Sequence, residues 1–156
     1  MPAFSRSLDA LARRARSTTE LARWLRERGY PADEIAEAIE RLTASGLLDD
    51  AKFAESFARS RLVDRKVSRR RVLAELARRG VAREVADAAV AAVLEDEGVD
   101  EAAGLAAIAA RKMRTLRGLA PDVAARRLTA FLARRGYDAD QVRTVVSELV
   151  RGRSAE

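Results

Sequence analysis

The chain has 156 residues, no cysteine, no histidine, a formal net charge of +6 and a pI near 10.6. That excludes disulfides, thiolate metal sites, the commonest zinc ligand and the usual general base, so an enzyme would be left with carboxylate or lysine chemistry. No 18-residue apolar run exists, so no membrane span is expected, and the positive balance points to a polyanion or an acidic protein surface.

In chain order, the start, MPAFSRSLDALARRARS, is Arg-rich and amphipathic. A transit peptide has that look, but the pattern recurs later, so it reads as a first helix with Leu8 and Leu11 facing inward. Ser17-x-x-Glu20 is a capping box. It opens a helix carrying Leu21, Trp24 and Leu25. Ile35, Ile39 and Leu42 mark a third. Gly46 ends it, and Asp49 and Asp50 offer side-chain oxygens to the N–H groups of the next helix. Phe53 and Phe57 share one face there. A linker, Val63 to Val67, leads to an Arg-rich helix capped by Ser68, with Val72, Leu73 and Leu76 inside. Ala86, Val90 and Val93 follow on a further helix, then Leu105 and Ile108. Pro121-Asp122 is a good first turn for a helix with Leu128, Phe131 and Leu132. Val142, Val146 and Leu149 mark the last.

The glycines expose a repeat. Leu25…Gly29-Tyr30, Leu76…Gly80-Val81 and Leu132…Gly136-Tyr137 end alike, with the glycines 51 and 56 residues apart. Each suits a Schellman helix end, where an apolar residue after the glycine contacts one five positions earlier. Gly46 and Gly98 obey the same rule, pairing Leu42 with Leu47 and Leu94 with Val99. The reading is an all-α chain of three tandem three-helix, helix-turn-helix-like repeats, 1–46, 47–98 and 99–156, forming an elongated, curved body. No alternating pattern suggests a strand.

The basic charge clusters. One stretch holds Arg59, Arg61, Arg65, Lys66, Arg69, Arg70, Arg71, Arg78 and Arg79. A second holds Arg111, Lys112, Arg114, Arg117, Arg126, Arg127, Arg134 and Arg135. With Val72, Leu73 and Leu76 inward, Arg70, Arg71 and Arg78 face solvent or a partner. Local ion pairs, such as Glu75 with Arg71 or Arg79, are the bland alternative. The candidate contact face is Arg69, Arg70, Arg71, Arg78 and Arg79, extended by Arg126, Arg127, Arg134 and Arg135. Aromatics for base stacking are few, and Trp24, Tyr30 and Tyr137 read as structural, so sequence-specific reading of DNA is not expected. Asp49 and Asp50 read as caps and not as a catalytic pair. The acids around Gly98 lack EF-hand spacing, and no phosphate-cradling glycine loop exists. Neither a cofactor nor a metal is expected.

Two stretches carry a family resemblance: Gly46-Leu-Leu48-Asp49-Asp50-x-x-Phe53-Ala54, and the basic helix RRRVLAELARRGV with Glu75, Leu76 and Gly80. The chain resembles the RecX family, bacterial regulators of the RecA recombinase, over nearly its whole length. The resemblance implies three tandem three-helix units. It also implies a cytoplasmic, monomeric regulator, without enzymatic activity, that binds RecA and the RecA–DNA filament and suppresses ATP hydrolysis and strand exchange in recombination and the DNA-damage response. Single- and double-stranded DNA would be bound without sequence preference. Leu47 stands where the family usually has an aromatic, and Lys66 or Val67 where a glycine often begins the basic helix. The main rival is a nonspecific basic DNA-binding protein that competes for DNA. A scaffold binding partners through apolar helix faces is a third.

Overall fold

The structure, a computed structural model, describes residues 1–154. Within them lie nine α-helices and no strand. They are α1 (Ala3–Arg13), α2 (Thr18–Arg26), α3 (Ala32–Ala44), α4 (Asp50–Arg59), α5 (Arg69–Arg78), α6 (Arg83–Asp96), α7 (Glu101–Arg114), α8 (Pro121–Arg134) and α9 (Ala139–Ser154).

The expected helix starts form at α2, α5 and α8. Ser17 Oγ accepts from Glu20 N–H (3.1 Å) while Glu20 Oε2 accepts from Ser17 N–H (3.3 Å). Ser68 Oγ accepts from Arg71 N–H (3.2 Å), and Pro121 opens α8. The acidic pair divides its work differently. Asp49 caps α4, accepting from the N–H groups of Ala51 (3.0 Å) and Lys52 (3.2 Å). Asp50 does not cap its own helix. Its Oδ1 accepts from the N–H (2.8 Å) and hydroxyl (3.0 Å) of Thr18. Asp50 is already the first residue inside α4, so its carboxylate satisfies an orphan N–H in the first turn of α2.

All five glycines read as helix ends have positive φ, from +57° at Gly98 to +86° at Gly136. The long Schellman bond is present from Tyr30 to Leu25 (3.3 Å), Leu47 to Leu42 (3.0 Å), Val81 to Leu76 (3.1 Å) and Val99 to Leu94 (3.0 Å). At Gly46 the apolar contact shifts by one residue. Leu47 is 57% exposed, and Leu48, whose N–H also reaches Leu42 O (3.2 Å), is buried instead.

The helices gather into two compact units. One comprises Met1–Ala58 with Leu73–Ala92; the other comprises Arg59–Val72 with the chain from Val93 on. In the first, α1, α2 and α3 pack around Leu21, Leu25, Ile35 and Leu42. Leu8, expected inside, is exposed, and Ala3, Ser7 and Ala10 face the core. Small side chains let α1 approach α3 closely, and the buried Ser7 hydroxyl is satisfied by donating to Ala3 O (2.7 Å).

The second unit begins with a correction. The expected linker is partly helical: Ser60–Asp64 forms a π-helical turn that extends α4 and buries Leu62. It ends with Val67 N–H on Arg61 O (2.9 Å) and Lys66 at φ +53°. That left-handed conformation strains any residue with a Cβ, and it falls at a position suited to glycine. Further along, α7, α8 and α9 close over Leu105, Met113, Leu116, Leu128, Leu132, Tyr137 and Val142.

Candidate nucleic-acid interface

Each unit contains a joint of the same kind, built from the start of one repeat's second helix and the end of the next repeat's second helix. In the first unit, Ser17, capping α2, donates its hydroxyl to Arg79 O (2.5 Å), and Thr19 Oγ1 donates to Gly80 O (3.2 Å). Arg79 Nη1 donates to Glu20 Oε1 (3.0 Å), with both side chains at least half-buried. The Arg79 guanidinium also lies 4.8 Å from the Phe57 ring, which stacks with Phe53 at 6.2 Å. A Cβ on Gly80 would stand 2.3 Å from Thr19 Cβ, so the Thr19 side chain sits against this turn as only glycine permits.

In the second unit Ser68, capping α5, meets the end of α8. A Cβ on Gly136 would stand 2.6 Å from Arg71 Cβ and 2.9 Å from Ser68 Oγ. Arg71 Nη1 donates to Arg134 O. Arg135 Nη1 donates to Arg65 O (3.1 Å), and Tyr137 OH donates to Lys66 O (2.7 Å). Burial, then the nearby Glu101 carboxylate, pushes the Tyr137 hydroxyl above the usual tyrosine range, partly countered by Arg135.

One position separates the joints electrostatically. Three residues after the capping serine, the first joint has Glu20, which neutralises Arg79. The second has Arg71, which sits against the Arg134–Gly136 turn. The second joint therefore gathers Arg65, Lys66, Arg70, Arg71 and Arg134, all exposed, and the half-buried Arg135.

This places the candidate arginines as follows. Arg69, Arg70, Arg71, Arg126, Arg127, Arg134 and Arg135 all lie in the second unit. Arg71, Arg134 and Arg135 meet at its joint, while Arg126 and Arg127 lie exposed earlier on α8. Arg78 and Arg79 belong to the first unit: Arg78 is exposed, and Arg79 is held internally by Glu20. Arg135, stacked 4.9 Å from the Phe131 ring, is likewise structural as well as basic. Sequence reading found these arginines but not the joints. The signal was the shared serine-to-fourth-residue pattern at Ser17 and Ser68, with arginine replacing glutamate.

A cavity of about 680 Å³ lies in the second unit. Leu62, Val67, Leu94, Val99 and Ile108 line it, together with Lys66, Arg111 and Arg114. The acids at its edge are engaged: Glu97 with Arg59 (2.9 Å), Asp100 capping α7 (3.1 Å) and Glu101 accepting from Arg69 N–H (3.3 Å). Among the described residues no group of three acids can hold a metal ion, and no helix is long and apolar enough to cross a membrane.

Family models for the first, second and third three-helix domains of RecX match residues 3–42, 49–90 and 100–146. The chain belongs to the RecX family. It is 42% identical over 142 residues to the regulatory protein RecX of Halorhodospira halophila, covering 90% of this chain and 84% of that one. With the RecX of Mycolicibacterium vanbaalenii it shares 38% over 145 residues, covering 90% and 78%. The crystal structure of RecX from Lactobacillus salivarius has the same fold, with a TM-score of 0.77, 19% identity and 94% of both chains covered. RecX proteins are regulators by name, and the fold is the family's three tandem three-helix domains.

Proposed function

We propose that this protein regulates RecA by binding the RecA–DNA filament, and that it inhibits ATP hydrolysis and strand exchange by occupying the filament without chemistry of its own. It works in the cytoplasm as a monomer of three modules, 1–46, 47–98 and 99–156. The observation that carries the reading is the second joint. Arg70 and Arg134 stand exposed there, and the position that Glu20 fills at the first joint is itself an arginine, Arg71. Such a surface suits phosphates, which guanidinium forks bind in two-pronged fashion. Arg69, Arg126 and Arg127 extend it within the second unit, and Arg78, in the first, is a separate candidate contact.

The test is the ATP hydrolysis rate of RecA on preformed filaments with little DNA in excess, as the protein is titrated in. Inhibition well below one copy per RecA is expected. Changing Arg70, Arg71 and Arg78 to glutamate should abolish it while helicity, read by circular dichroism, is retained. Full inhibition by that variant at moderate salt would defeat the assignment. The rival reading, general competition for DNA, is favoured by the charge of α8 alone. It requires inhibition only at DNA-saturating amounts.

A further inference from the structure

The first unit carries a basic group that the reading above does not use. Trp24 is the chain's single tryptophan. The guanidinium carbons of Arg28, Arg16 and Arg6 lie 3.8, 5.1 and 6.0 Å from its ring centroid. A stacked guanidinium gives the ring its face and keeps its in-plane N–H donors for an acceptor. Arg28 uses one of them on Trp24 O (3.1 Å). Arg16 Nε is buried without any partner.

The cluster is also short of negative charge. Burial, then repulsion from Arg14 and Arg28, holds the Arg16 guanidinium below the usual arginine range. Glu20 counters this only in part, and its oxygens also serve Ser17 N–H and Arg79. Stacking on the indole steadies each guanidinium without cancelling the like charges around it.

We infer that the Trp24 face is a docking site for a phosphate group of a nucleic-acid strand, with Arg6, Arg16 and Arg28 as its donors. Phosphate fits better than an acidic peptide. One guanidinium fork already satisfies the two coplanar oxygens of a carboxylate, whereas three around one ring match a tetrahedral phosphodiester or its neighbours along a strand. The site lies outside the joints and stands independently of the RecA reading.

The sole tryptophan makes the test direct. A labelled oligothymidylate is titrated into the whole protein, following its anisotropy and Trp24 emission together, with inorganic phosphate and polyglutamate as separate arms. The oligonucleotide should change Trp24 emission in parallel with anisotropy, and polyglutamate should change neither. Arg16→Gln with Arg28→Gln should weaken oligonucleotide affinity roughly five-fold and flatten the salt slope by about 1.4, two single-strand contacts' worth. Circular dichroism checks that the variant keeps its helicity. Arg70→Glu with Arg71→Glu should weaken binding but leave the emission change at saturation intact, which separates this site from the second joint. Unchanged affinity in the Arg16/Arg28 variant, or silent emission at saturation, would overturn the inference. An equal response to polyglutamate would overturn the phosphate assignment, and a response to inorganic phosphate alone would overturn the strand.

Discussion

The two joints use one design for two ends. Both set a capped helix start against a glycine turn so closely that a Cβ would collide. The first adds an ion pair, at least half-buried, between Arg79 and Glu20 and an aromatic bed of Phe53 and Phe57. The second replaces the glutamate by Arg71 and leaves cations at the surface. Repetition thus keeps the close approach of a capped helix start to a glycine turn, while the residue three after the capping serine changes from glutamate to arginine.

The largest expected effect breaks the shared part. Gly80→Ala and Gly136→Ala each add left-handed strain of about 1–2 kcal/mol and a collision costing about 1–3 kcal/mol. Gly29→Ala, with φ +85° and open space around its Cβ, should lose only the strain. Urea denaturation should rank the two joint variants well below Gly29→Ala. Equal losses at all three would mean that the joints do not close as described.

Next comes the part that differs. Glu20→Arg gives the first joint the chemistry of the second. It removes half of the capping box and strands Arg79 beside a like charge, for a loss of about 2–3 kcal/mol. The reverse change, Arg71→Glu, removes the hydrogen bond to Arg134 O and should cost about 1 kcal/mol, less than Glu20→Arg, yet lower the salt slope of single-strand binding by about 0.7. Stability losses of equal size in both swaps would show that Arg71 serves the fold and not a partner. A smaller effect tests the misread acid: Asp50→Ala should cost about 1 kcal/mol, as Asp49→Ala does, although only Asp49 serves α4.

The repeat was legible because Schellman ends are local: a glycine, its follower and a leucine five residues back fix the turn within six residues. The caps at Ser17, Ser68 and Asp49 were legible for the same reason. What escaped was tertiary. Asp50 looks like a cap, and only the fold brings Thr18 within its reach. Leu8 belongs to the apolar face by periodicity, but the close approach of α1 to α3 selects the alanines and Ser7. Arg79 and Arg135 read as surface charge because the sequence does not say that a neighbouring repeat's capped start lies against them. The π-turn at Ser60–Asp64 leaves no local mark beyond an apolar Leu62.

Tyr137 gives the finest probe of the second joint. Its hydroxyl donates to Lys66 O, the carbonyl of the residue at φ +53°. Tyr137→Phe should therefore cost about 1 kcal/mol at neutral pH. Because burial and Glu101 raise its folded-state pKa above the unfolded value near 10, the neutral hydroxyl stabilises the fold at and below that pH. As pH rises further, the unfolded chain ionises first and that stabilisation is lost. The wild type should thus shed stability above pH 10, and Tyr137→Phe should shed less, so the gap between them narrows as the solution becomes alkaline. A gap independent of pH, measured by urea denaturation between pH 7 and about pH 11, would mean that the hydroxyl is hydrated and not buried on Lys66, and that the second joint is looser than the first.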